Sequence, residues 1–384
     1  MDHIRGRKLV VTIPVLLVGG TEVQTLNLVR MLVDSGYRVT VCCYYDHEAS
    51  MVASMEDAGA KVVLMNLDRS AGLWHLLKKL RQFFCEERPD IVHVQYIAPG
   101  LIPILAARLA MVPTVFATAH QPGRTYGWKA KLLLRGAARL CTSFFCNSMA
   151  VERSWFGSAT LFRTQNNHRR RHCTIYNAVD VERISAIADS TDLTMLRADL
   201  DLEERPVVGV VGRLRWEKGQ CVLMEAMAIV IRQIPPALLL VVGDGPDREK
   251  LQRQAERLDI TNNVRWLGQQ KTENVFRLYS IMDVVAVPSI FEGFGLVAAE
   301  AMAAGLPVVG SSVDGLAEVI IDHETGRLVP SQDTGALGAA LLELLESPET
   351  AVMMGTKGRK RAAEHFSLQR FSESTLAAYE AYKR

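Results

Sequence analysis

The chain has 384 residues, 49% of them hydrophobic and 22% charged, with seven cysteines and a formal charge of +2. That length favours two domains, and that composition excludes a disordered or fibrous chain. A charge so near zero also excludes a globally basic nucleic-acid binder, although residues 1–187 carry +9 and the remainder −7, which fits either a first half that meets something anionic or charges scattered over unrelated surfaces.

In chain order, the N-terminus leads into an apolar run, Leu9–Val18. No small-residue cleavage site follows it, so it reads as a buried first strand rather than a signal sequence. Gly19-Gly20-Thr21-Glu22 comes next and opens a helix over Val23–Ser35. Further short apolar runs follow at Arg38–Tyr44, Lys61–Met65, Ile91–Val94, Thr114–Ala119 and Ser143–Asn147, with a helix expected at Leu73–Glu86. The stretch Ile97–Ala119 alone has the length of a membrane span, but Pro99, Pro103, Arg108 and Pro113 interrupt it, so no transmembrane segment is expected. A polar section near residues 176–206 separates this series from a second one. Its strands are expected at Val207–Val211, Ala237–Val242, Val264–Leu267, Val284–Val287 and Pro307–Val309, with helices at Cys221–Gln233 and Arg248–Leu258. Continuously apolar strands alternating with helices imply parallel sheets covered on both faces. The expected fold class is α/β, with two doubly wound Rossmann-like domains facing a central cleft. Ligands belong at the carboxyl ends of the strands.

Cys42, Cys43, Cys85, Cys141, Cys146, Cys173 and Cys221 show no C-x-x-C spacing and sit mostly in apolar runs, as buried thiols in a reducing compartment do.

Three places concentrate chemistry. The glycines Gly19 and Gly20, at a strand-to-helix turn, let backbone N–H groups approach an anion. In Gly212-Arg213-Leu214-Arg215-Trp216-Glu217-Lys218-Gly219, Arg213 leaves a strand end and Lys218 precedes a helix, so both cations can reach a phosphate pair. In Glu292-Gly293-Phe294-Gly295-Leu296, followed by Glu300, a glycine-rich loop meets a helix mouth. The N–H groups there suit a phosphate and the carboxylates suit sugar hydroxyls. Two carboxylates also fit a hydrolase, but the surrounding glycines and helix mouth argue for ligand binding. His120 ends the strand Thr114–Ala119 and faces the expected cleft, while His93 ends another strand and weighs less. Gly243-Asp244-Gly245-Pro246 reads as a strand-end turn with Pro246 at a helix start. No cluster has metal-ligand spacing, so no metal is expected.

At these residues the chain resembles the retaining glycosyltransferases of family 4, which have the two-lobed GT-B fold. Asp90-Ile91-Val92-His93, Thr118-Ala119-His120, Tyr176-Asn177-Ala178-Val179-Asp180 and Gly243-Asp244-Gly245-Pro246 extend the match over nearly the whole chain. The resemblance implies a first domain over residues 1–178, completed by a C-terminal helix over 366–384, and a donor-binding domain over 179–365. It implies transfer of a hexose, with retention, from a UDP- or GDP-sugar to a glycan or lipid-linked acceptor in cell-surface polysaccharide or glycolipid synthesis, without an obligate metal. Arg213 and Lys218 would hold the diphosphate and Glu300 the ribose. Glu292 with Gly293, Phe294, Gly295 and Leu296 would hold the sugar. Leu267 would line the nucleotide site, His120 would contact the sugar, and Gly19 and Gly20 would close over the phosphates. Two features depart from the family pattern: Ala178 stands where a glycine is usual, and the basic stretch 163–172 is extra. The rival readings are a nucleotide-sugar 2-epimerase of the same shape and a non-catalytic nucleotide-sugar-binding protein.

At helical spacing Lys131, Arg135 and Arg139 form one stripe, with Trp128, Leu132 and Leu133 beside it. That face fits either an ordinary solvated helix or a helix docked on anionic lipid. A cytoplasmic protein, peripheral at the inner face of the membrane, is the corresponding expectation.

Overall fold

The computed structural model describes residues 6–96, 101–163 and 171–382. Pro99, the first five residues and most of the basic stretch 163–172 therefore lie outside the described residues. The chain divides into two compact units, residues 1–177 with 369–384 and residues 178–368.

The first unit carries a parallel sheet of β1 (Lys8–Ile13), β2 (Arg38–Cys43), β3 (Lys61–Leu64), β4 (Ile91–Tyr96), β5 (Thr114–Ala119), β6 (Ser143–Cys146) and β7 (His172–Thr174). Their order is β3-β2-β1-β4-β5-β6-β7. Side chains alternate across it. Val10, Val92, Val94 and Val115 pack with Leu80 and Phe84 on one face. Leu9, Val11, Ile13 and Phe116 pack with Leu28, Val29 and Tyr379 on the other. Both faces are thus buried, which is why the strands read as continuous apolar runs. β1 stops at Ile13 instead of reaching Val18, because Pro14 has no N–H to continue the ladder. β4 continues past His93 to Tyr96, so His93 lies inside the strand rather than at its end. The edge strand β7 was not foreseen, since its three residues follow a polar stretch.

The second unit holds β8 (Val207–Val211), β9 (Leu238–Val242), β10 (Val264–Gly268), β11 (Val284–Val287), β12 (Val308–Ser311) and β13 (Gly326–Val329), ordered β10-β9-β8-β11-β12-β13. Its core joins Val208, Val210, Leu239 and Val241 to Leu223, Met227 and Val230 of the helix Gln220–Gln233. The short edge strand β13 also escaped the sequence pattern. Pro246 lies ahead of the helix Arg248–Arg257 and its N-cap Asp247, not at the helix start. In both units the chain turns back at the first strand, so the switch points fall between β1 and β4 and between β8 and β11. Ligands of open parallel sheets bind at such points, outside the carboxyl ends of the strands.

Candidate functional site

In the second unit two loops converge above β8 and β11. The loop leaving β8 passes through Arg213, makes a short turn at Trp216–Lys218 and reaches Gly219 at φ 68°. A Cβ at Gly219 would lie 1.9 Å from the carbonyl oxygen of Pro288, so only glycine lets the two loops touch. The Ile290 N–H donates to the Glu217 carbonyl at 2.9 Å and closes the contact.

This contact brings Lys218 to Glu292. The Lys218 ammonium donates to Glu292 Oε2 at 2.8 Å, and Ser289 Oγ donates to the same oxygen at 3.2 Å. The Glu292 backbone is fixed as well: its N–H donates to Asp314 Oδ2 and its carbonyl accepts from the Gly315 N–H, both at 3.2 Å. Arg213 stands exposed on the same loop, with its carbonyl held by Gln220 Nε2 at 3.1 Å. The site therefore presents an ammonium and a carboxylate held together before any ligand arrives, with Arg213 on the loop that carries Lys218.

Gly295, at φ 102°, caps the helix Leu296–Ala303. The first N–H groups of that helix have no acceptor within it, which suits an anion. Phe294 points the other way: its ring is buried edge-on against Phe366, with centroids 5.3 Å apart, so only its backbone is left to face a ligand. Glu300 is partly buried one turn further along the helix, and its Oε2 accepts from the Tyr279 hydroxyl at 3.0 Å. Burial pushes its carboxyl up to about 7, against the opposing pull of the Tyr279 hydrogen bond. Leu267 sits half-buried near the end of β10, where its carbonyl accepts from Gln270 Nε2 at 2.7 Å.

In the first unit Gly19 is the N-cap of the helix Gly20–Asp34, and Glu22 lies buried in the first turn. A Cβ on Gly19 would come within 2.6 Å of the Glu22 carboxylate. This helix mouth thus already holds an anion from its own chain, a favourable place for a carboxylate. His120 is buried just past β5, with Nε2 2.8 Å from Gln95 Oε1 and its carbonyl accepting from Asn147 Nδ2 at 3.1 Å. Desolvation lowers its pKa to about 4, so the ring is neutral. His93 bonds Thr118 Oγ1 at 2.7 Å and the Tyr379 hydroxyl on its other nitrogen, which makes it a structural member of the core.

The geometry adds residues that the sequence pattern did not single out. Ser289 and Asp314 hold Glu292, Tyr279 holds Glu300, and Gln95 holds His120. Gln95 could have been found, since it lies two residues from His93 and so on the same strand face; nothing local marked Tyr279. Among the described residues no group of three His, Cys, Asp or Glu side chains converges as a metal site would require.

Two family models match in series: Glycosyltransferase Family 4 over residues 18–183 and Glycosyl transferases group 1 over residues 194–361. A GDP-mannose-dependent alpha-(1-6)-phosphatidylinositol monomannoside mannosyltransferase from Mycolicibacterium smegmatis is 33% identical over 289 residues, which is 72% of this chain and 73% of that protein. The chain belongs to glycosyltransferase family 4. A D-inositol 3-phosphate glycosyltransferase from Segniliparus rotundus is 38% identical over 226 residues, covering 56% of this chain and 50% of that protein. The match thus spans about half the length of such relatives. Among solved structures, Anabaena Alr3699/HepE in complex with UDP superposes with a TM-score of 0.80 at 21% identity, over 96% of this chain and 98% of that one. The fold of this family 4 chain is accordingly GT-B, two Rossmann-like domains.

Proposed function

We propose that this family 4 protein is a retaining hexosyltransferase that moves a sugar from a UDP- or GDP-sugar to a glycan or lipid-linked acceptor, in the synthesis of a cell-surface polysaccharide or glycolipid. The observation that carries this reading is the Lys218–Glu292 pair, 2.8 Å apart, with Arg213 on the same loop and the mouth of the helix Leu296–Ala303 beside it. A relative that depends on GDP-mannose and a structural neighbour bound to UDP support the donor class.

In this reading Arg213, Lys218 and the free N–H groups after Gly295 hold the donor diphosphate. Glu292 and the Gly293–Gly295 backbone hold the sugar, and Glu300 holds the ribose. Leu267 lines the nucleotide site. In the first unit His120 takes a sugar hydroxyl of the substrate. As the bond from the anomeric carbon to the diphosphate oxygen breaks, negative charge grows on the leaving group. Fixed cations and N–H dipoles stabilise it without reorganising. The acceptor hydroxyl attacks from the same face and its proton passes to the departing phosphate, so this chain needs neither a separate base nor a metal for the step.

The test is thermal-shift binding to UDP, GDP, ADP and their common sugars. A ligand at 100 times its dissociation constant should add about 2.7 kcal/mol of stability. Product analysis with the nucleotide-sugar that binds then separates the rivals: a glycosylated acceptor supports the transferase, and a released isomerised sugar supports the epimerase. No shift with any nucleotide sinks the reading.

The helix Trp128–Leu140 supports a membrane-facing role. Trp128 is 68% exposed, and Leu132 and Leu133 are exposed beside Arg135 and Arg139, while Lys131 of the same stripe is half-buried. Arg135 also donates to the Trp155 carbonyl at 2.8 Å, which fixes part of the basic stripe. Among the described residues no helix is long and apolar enough to cross a membrane. Co-sedimentation with phosphatidylglycerol vesicles at low salt should exceed that with phosphatidylcholine vesicles; equal sedimentation removes the membrane role.

A further inference from the structure

On the face of the first sheet that carries Phe116 and Phe145, each central strand turns from apolar to polar as it nears its carboxyl end. β4 presents Ile91, His93 and Gln95 in turn, and β5 presents Phe116 and Thr118 before reaching His120. Period-two alternation puts these residues on one face, and in-register pairing sets Gln95 beside Thr118. They line a cavity of about 30 Å³ together with Gln24, Asn177 and Thr375. The cavity has a chemical bias. Among the described residues His120 Nδ1 and Thr375 Oγ1 are buried without a hydrogen-bond partner. Nε2 of His120, by contrast, is engaged by the Gln95 carbonyl at 2.8 Å.

A neutral imidazole has one N–H donor and one bare acceptor, and which nitrogen is which follows from its partners. With Gln95 presenting its amide oxygen, Nε2 must donate, and Nδ1 is left as an acceptor only. We propose that Gln95 is a positioning residue that fixes the hydrogen of His120 on Nε2, so that Nδ1 can accept only from a hydrogen-bond donor such as a sugar hydroxyl. The second half of this rests on the nucleotide-sugar reading above. Phosphate and carboxylate oxygens have no hydrogen to give and are rejected at Nδ1, so His120 senses the hydroxyl-bearing part of the substrate. Loss of the Gln95 carbonyl frees the ring to move its hydrogen to Nδ1, where it no longer accepts.

The test is nitrogen-15 NMR of the imidazole rings in the full chain, with the His120 signals assigned by His120→Gln. In the wild type Nε2 should carry the hydrogen and Nδ1 should show the pyridine-type shift. Gln95→Leu should move the population toward the Nδ1–H form. Gln95→Glu, which keeps an acceptor, should hold the wild-type pattern. Gln95→Met replaces the Leu variant if that one does not fold. An Nδ1–H ring in the wild type, or a pattern unchanged in the apolar variant, overturns the proposal; a purely structural Gln95 would leave the tautomer alone. Calorimetry with UDP against UDP-glucose, and GDP against GDP-mannose, tests the hydroxyl half. Gln95→Leu should weaken a nucleotide-sugar about tenfold more than its nucleotide. Equal weakening overturns the hydroxyl half. No binding of any of the four to the wild type removes the donor reading and the hydroxyl half with it, while the NMR result still decides the tautomer.

Discussion

The two units share one strand order and put opposite chemistry at the same topological place. After β8 the first strand-to-helix turn brings Arg213 and Lys218, and Lys218 faces a carboxylate from the loop after β11. After β1 the corresponding turn brings Glu22, which buries its own carboxylate in the first turn of the helix. The second unit therefore offers cations and free N–H groups to an anion, whereas the helix mouth of the first already has one. At its carboxyl ends the first unit instead shows neutral, buried hydrogen-bonding groups around His120. The lesson is that the fold fixes where a ligand can sit, and a few residues in one turn decide which charge it carries.

The glycines of the two turns test this contrast most sharply. Gly219→Ala places a Cβ 1.9 Å from backbone at φ 68°, and backbone cannot yield as a side chain can. The variant should lose about 3 kcal/mol or more of stability, a fall of roughly 6–12 °C in Tm for a unit of this size. Calorimetry that finds the variant as stable as wild type breaks the account of how the two loops meet.

Glu300 predicts a pH dependence located in the second unit. Its carboxyl is raised from 4.5 to about 7 in the folded chain. The folded state then holds a proton that the unfolded state releases, so stability is greatest below about 4.5 and falls as pH rises through 7. The loss is on the order of 3 kcal/mol. Glu300→Gln cannot titrate, so its denaturant midpoint should lack this slope. Tyr279→Phe removes a hydrogen bond that favours the ionised form and should shift the fall to higher pH. Identical profiles for wild type and Glu300→Gln would remove this carboxyl as their source.

Glu292→Ala should lower turnover at least tenfold, about 1.4 kcal/mol of barrier. In a double-mutant cycle on stability, Lys218 and Glu292 should couple by about 1 kcal/mol or less, since both side chains are partly exposed. A similarly small effect is expected at Gly19→Ala. Gly19 has an extended backbone, with φ −167°, and its new Cβ meets only the carboxylate end of the Glu22 side chain rather than backbone, so the cost should stay at about 1 kcal/mol. A loss at Gly19 as large as that at Gly219 would erase the contrast between the turns.

Much of this architecture is legible without coordinates. Buried parallel strands leave apolar runs such as Val207–Val211 and Val284–Val287, and their alternation with helices announces two doubly wound units. The glycines at 219 and 295 and the charges at 213, 218, 292 and 300 mark the strand ends. The edge strands β7 and β13 were not legible, because His172-Cys173-Thr174 and Gly326-Arg327-Leu328-Val329 are too short and too polar to read as apolar runs. Nor was the partner of any charge. That Lys218 lies against Glu292, that Tyr279 donates to Glu300 and that Gln95 holds one nitrogen of His120 are contacts between residues 74, 21 and 25 positions apart. Sequence determined the kinds of residues and the elements that carry them, since periodicity and turn chemistry are local. Tertiary structure alone decided which polar atoms meet, which carboxyl is desolvated and which glycine has no room for a side chain. Those outcomes depend on distances across the fold, to which local sequence is blind.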